Sequence, residues 1–151
     1  MTRYGSQVTM LASSQGVLVS LTISIAVNLI NVRLKDNLNL ILLVEKAFKK
    51  GLDLYKKGIS IRTAAAKVDE IFAAGKRSMP HGLGHGIGLE IHEFPFVRQR
   101  AEPEIEFAPG MIVTLEPGLY DKEAGGVRLE NDVLITENGN EVITHSRIIR
   151  L

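Results

Sequence analysis

From His81 to Gly88 every second residue is glycine: His81-Gly82-Leu83-Gly84-His85-Gly86-Ile87-Gly88. Four glycines in eight residues exclude a stable helix, because each loses backbone entropy and offers no side chain to pack. They also leave the backbone open to close approach by other groups. The run therefore divides the chain into two parts with different periodicities.

Upstream, Val19, Leu21, Ile23, Ile25 and Val27 alternate with Ser20, Thr22, Ser24, Ala26 and Asn28. Period two over this length predicts a half-buried strand. Residues 1–16 show no clear period and read as a poorly defined segment, frayed or at a sheet edge. Residues 38–57 change to helical spacing, with Ile41, Val44, Phe48, Leu52 and Tyr55 on one face. Asn37 is the candidate cap and Gly58 the stop, while Gly51 weakens the pattern. A second helix fits 61–74: Ser60 caps it, Val68, Ile71 and Phe72 give its apolar face, and Gly75 ends it.

Downstream, residues 94–110 carry Pro95, Pro103 and Pro109 and read as loop. Strands are predicted at 111–116, at 127–132 and 133–136 (continuous through a bend), and at 141–144. Asn138-Gly139 marks a hairpin between the last two. Strand, helix, helix, then a run of strands is an α+β pattern with a mostly antiparallel sheet. Residues 17–151 form its single domain.

With 151 residues, 45% of them hydrophobic, the chain can bury a sizeable core. Lys plus Arg number 18 against 17 Asp plus Glu, a balance that argues against a nucleic-acid binder. The most apolar stretch, 17–30, is broken by Ser20, Thr22, Ser24 and Asn28, too polar for a membrane span. No export signal is read. Cysteine is absent, which fits a reducing cytoplasm and leaves only His and carboxylates to hold a metal.

Three segments carry the chemistry. Residues 81–93 hold three of the four histidines, an arrangement that packing alone explains poorly. Thr114-Leu115-Glu116-Pro117-Gly118 ends an apolar strand with a carboxylate before a turn. In Gly126-Val127-Arg128-Leu129-Glu130-Asn131-Asp132, alternation places Arg128 and Glu130 on one face. Taken alone, the second reads as a solvated Glu and the third as a surface ion pair. Together, one His and two strand-borne Glu form a hard N/O donor set suited to Mn, Co, Fe or Zn.

These three motifs, in this order and with the hairpin after them, resemble the pita-bread metallopeptidases: methionine aminopeptidases, Xaa-Pro aminopeptidases, prolidases and creatinase. Leu89-Glu90-Ile91-His92-Glu93 and Val127 to Asp132 are most similar to the Xaa-Pro dipeptidase (prolidase) branch. The resemblance implies a curved, mostly antiparallel sheet with two helices packed on it, here shortened on its N-terminal side. It implies that His85, Glu116 and Glu130 match three of five metal ligands; Arg128, beside Glu130 on its strand face, is read as orienting that carboxylate. It further implies that His81 and His92 contact substrate and that Glu116 also helps deprotonate the attacking water. The implied substrate is a small peptide with proline at its second position.

The two remaining family ligands are aspartates eleven residues apart, the second followed closely by Thr-Arg. Here Ser20 and Asn31 show that spacing, with Arg33 following, and no Asp precedes Asp36. Ser20 and Asn31 are thus read as degenerate ligand positions; the other reading makes everything before Asp36 unrelated sequence. The ligand set falls from a formal −4 to −2, enough for one divalent ion (Mn, Co or Zn) and not two. Without an ion, Glu116 and Glu130 would repel, and one would have a raised pKa unless Arg128 compensates.

Three readings follow. One is a cytoplasmic Xaa-Pro dipeptidase/aminopeptidase-like metallohydrolase with weakened activity. A second is an inactive pita-bread module that binds a peptide or protein. The third is a fragment completed by another chain, as in a homo-oligomer.

Overall fold

The computed structural model describes residues 6–14, 17–25, 34–101, 105–122 and 125–144. Asn31 and Arg33 lie outside them. Two strands, β1 (Ser6–Ser14) and β2 (Val17–Ile25), pair antiparallel with Ser6 opposite Ile25 and Ser14 opposite Val17. The strand expected over Val19–Val27 is therefore present. Much of the segment read as undefined is its hairpin partner. Ser20 sits within β2 opposite Leu11, and β2 runs beside β7 (Gly125–Arg128).

Helix α1 spans Leu34–Leu54, so Asn37 lies inside it rather than capping it. Leu34 and Lys35 are good helix formers, and they carry the helix upstream of the expected start. At the other end the chain turns through Gly58 (φ 78°), whose N–H donates to the Phe107 carbonyl at 3.0 Å. Helix α2 spans Ile61–Ala74 as expected. The Ser60 hydroxyl accepts from the Thr63 N–H at its start, and Gly75 caps its end.

Gly51 has a packing reason: a Cβ there would meet Leu115 Cδ1 at 2.5 Å, so its absence lets α1 close onto the sheet. Leu40, Val44 and Ala47 of α1, with Ile61, Val68 and Phe72 of α2, are buried against Leu83, Val97, Val113, Leu115 and Ile135. Tyr55 and Phe107 close the end of this core, ring centroids 4.5 Å apart.

The main sheet has the order β4-β3-β5-β8-β9. Its strands are β3 (Gly84–Gly86), β4 (Glu93–Val97), β5 (Ile112–Leu115), β8 (Asn131–Thr136) and β9 (Gly139–Val142), and all their pairings are antiparallel. The loop expected over 94–110 thus contains most of a strand. Pro95 hid β4, but β4 is the edge strand, where proline's missing donor is tolerated. A second omission is β6 (Gly118–Asp121), which pairs with β7. The strand expected over 127–132 accordingly breaks at Leu129-Glu130: its first part follows β6 and its second part follows β5. The last hairpin turns at Glu137-Asn138, with Thr136 opposite Gly139.

Candidate metal centre

The glycine run is the inner wall of the site. Gly84 packs so tightly under β5 that a Cβ there would overlap the Thr114 carbonyl oxygen. That contact seats β3 beside Thr114 and Glu116. The Thr114 hydroxyl accepts from the His85 N–H at 2.9 Å and lies 3.4 Å from Glu116 Oε1. From beneath, the Tyr55 hydroxyl donates to the Thr114 carbonyl at 3.0 Å. Burial, with the Glu116 charge second, pushes the Tyr55 pKa well above its usual value, so the phenol keeps the proton it donates.

His85 is buried, and its Nδ1 is 3.0 Å from the Gly86 carbonyl. A carbonyl only accepts, so Nδ1 carries the proton and Nε2 presents its lone pair. Nε2 faces Glu116 Oε1 at 3.5 Å. Two donors each about 2.1 Å from one tetrahedral ion lie about 3.4 Å apart, so this pair fits a shared divalent cation.

Glu130 is placed differently. Arg128 Nη2 donates to Glu130 Oε2 at 2.7 Å, and its Nη1 is 3.6 Å from Glu116 Oε2. The guanidinium therefore stands between the two carboxylates. Burial raises the Glu130 pKa and the Glu116 charge adds to this, while Arg128 opposes both. The expected raised carboxyl is Glu130, and Arg128 compensates it only in part. Among the described residues no three His, Asp or Glu side chains converge as a metal-ligating group.

The other two motif histidines flank this pair. His81 Nδ1 donates to the Gly82 carbonyl at 2.8 Å, so its Nε2 accepts from the Tyr120 hydroxyl at 3.2 Å. His92 is exposed, and its ring lies over His85 with centroids 4.2 Å apart. Sequence reasoning missed Thr114 and Asp132, although both lie in motifs it singled out, and Tyr120, which follows one closely. What joins them to the site is cross-strand register: Thr114 is opposite Asp132, and Tyr120 is opposite Gly126.

Asp132 is buried, and its Oδ1 has no hydrogen-bond partner among the described residues. Burial and then the Glu130 charge raise its pKa to about 6, with His85 opposing. A raised folded-state pKa means that the protonated carboxyl favours folding. That contribution is complete below the unfolded pKa and is lost as pH rises through about 6. Asp132→Asn should therefore stabilise the chain by about 2–3 kcal/mol at about pH 7.5 and by much less at about pH 4. Urea unfolding at both pH values measures this; an equal effect at both would show that charge is not the cause.

Residues 9–137 match metallopeptidase family M24. The chain belongs to that family. Among its M24 relatives, it is 47% identical over 98 residues to the uncharacterized peptidase YqhT of Bacillus subtilis, covering 64% of this chain and 27% of that protein. It is 39% identical over 104 residues to an Xaa-Pro dipeptidase of Pyrococcus horikoshii, covering 68% and 29%. The solved prolidase from Pyrococcus furiosus matches with TM-score 0.77 at 32% identity, over 94% of this chain and 41% of that one. A methionine aminopeptidase from Rickettsia prowazekii shares the fold alone, with TM-score 0.62 at 20% identity over 74% and 53%. The architecture is thus the pita-bread fold that the motifs implied. The chain spans less than a third of the length of the two curated relatives. No helix among its described residues is long and apolar enough to cross a membrane.

Proposed function

We propose that this chain carries a reduced M24 centre that acts on short Xaa-Pro peptides through one divalent ion, Mn, Co or Zn. The observation that carries this reading is the His85 Nε2 to Glu116 Oε1 separation of 3.5 Å, with the imidazole tautomer fixed by Gly86. His85 and Glu116 would hold the ion, and Glu130 would join them by yielding part of its bond to Arg128. When bound, such an ion supplies Lewis acidity that makes water a nucleophile at neutral pH.

The chain's own groups supply the rest. Glu116 is positioned to accept the proton of the attacking water. Arg128 stands between the two carboxylates and orients Glu130 through its 2.7 Å bond. His81, whose Nε2 accepts from Tyr120, and His92, lying over His85, would contact the substrate. Ser20 and Asn31 contribute no charge, which limits the centre to one ion and weakens turnover. The substrate is a peptide with proline second, and a cytoplasmic setting suits the cysteine-free chain.

The Arg128–Glu130 bond of 2.7 Å favours a second reading, a module that binds peptide or protein without turning it over. One experiment separates the two. Metal-stripped protein is given an Xaa-Pro dipeptide while Mn²⁺ is added back. Hydrolysis that rises with Mn²⁺ and saturates supports the enzyme. None at saturating metal leaves the binding module.

A further inference from the structure

We infer that Glu93 is a positioning residue whose carboxylate clamps the 87–92 loop and thereby lays His92 on His85. The inference rests on the reading of His85 and His92 as site residues, but its geometry stands without turnover. The loop joins β3 to β4, closed at its base by the Gly86–Glu93 pair. Apolar packing does not hold it: Leu89 is 90% exposed and Ile91 59%. Polar contacts do. Glu93 Oε1 accepts from the Glu90 N–H at 2.6 Å. The Gly88 N–H donates to the Glu90 carbonyl at 3.3 Å. The other carboxylate oxygen fills the space over Gly88 where a Cβ would otherwise project, so a larger residue there would push the carboxylate out of its present place. His92 adjoins Glu93 in sequence, and its exposed ring reaches His85 at 4.2 Å only if the loop keeps this turn.

A charge-assisted bond to a backbone N–H is among the stronger hydrogen bonds, which suits it to order an exposed loop. Glu93 does not reach the reacting atoms. It acts through His92.

The test uses the full, metal-free chain. The readout is the nuclear Overhauser effect between the ring protons of His85 and His92, with core methyl resonances as the folding control. Glu93→Ala should reduce that cross-peak at least tenfold while the core resonances stay in place. Gly88→Ala, which displaces the carboxylate without removing it, should do the same. Glu93→Gln, whose amide oxygen still accepts from Glu90, should restore most of the signal. If Glu93→Ala and Gly88→Ala keep the cross-peak at wild-type strength, Glu93 does not position His92. Should Glu93→Ala fail to fold, Gly88→Ala and Glu93→Gln decide the question alone. Because no substrate is present, this result is independent of whether the chain hydrolyses peptides.

Discussion

Gly84→Ala is expected to destabilise the chain by about 3 kcal/mol, more than its single methyl group suggests. The added Cβ would fall on the Thr114 carbonyl oxygen and within 2.9 Å of the Tyr55 hydroxyl. Neither neighbour is the free end of a flexible side chain. One is backbone in the middle of β5, and the other is a fully buried ring. Relief requires β3 to move away from β5, which weakens the buried Tyr55–Thr114 bond and separates His85 from the Thr114 hydroxyl. Thermal unfolding should show a Tm lowered by about 10 °C. Gly82→Ala is the matched control, since the nearest atom to its Cβ would be the Val97 carbonyl oxygen at 3.2 Å. It should cost less than about 1 kcal/mol. Equal losses at the two positions would mean that glycine entropy, and not the close approach to Thr114, sets the effect.

Glu116→Gln should leave the fold nearly intact and remove the chemistry. The amide is isosteric and keeps an oxygen for the Thr114 hydroxyl, so stability should change by less than about 1 kcal/mol. The charge that faces His85 Nε2 is lost, however, and with it one donor of the pair. Changes to residues that only orient ligands cost about 10–100-fold in metal affinity, so loss of a donor should cost at least about 100-fold. Metal-dependent hydrolysis of an Xaa-Pro dipeptide should disappear. Glu130→Gln should be milder, about tenfold or less in affinity, because Arg128 already occupies that carboxylate. Mn²⁺ titrations of the two variants order them. A larger loss at Glu130 than at Glu116 would transfer the centre from the His85–Glu116 pair to the Arg128–Glu130 arm.

Much of the frame was legible because it follows from periodicity. Val44, Val68 and Phe72 lie on the buried faces of the two helices, and Tyr55, just past α1, is buried with them. Ser60 and Gly75 bound α2 as their types suggest. Strands β4 and β6 were among those missed, each for a local reason. Pro95 argued against β4, which survives because it is an edge strand. Pro117-Gly118 read as a turn, and β6 begins at that glycine. Sequence order could not show that Arg128 and Glu130 part from β8, because the break comes from two different partners, β6 and β5.

The site was legible as a set of residues and less so as a geometry. Motif order brought His81, His85, His92, Glu116 and Glu130 into view, but nothing in the motifs says that Glu130 leans on Arg128. Nor does spacing reveal Thr114 beneath His85 or the buried Asp132, since the first depends on the pairing of β3 with β5 and the second on the register of β5 against β8. Glu93 closed a quoted motif without a role until its bond to Glu90 gave it one.

His85 and Glu116 are proposed as the metal-holding pair of a chain that takes one ion. Equilibrium dialysis of the metal-stripped chain against Mn²⁺, with unfolding curves recorded alongside, tests that assignment most directly. One ion per chain is expected, with stabilisation of the fold as the ion binds and loss of both effects in His85→Ala. Two ions per chain of similar affinity, or one ion that remains in His85→Ala, would contradict it.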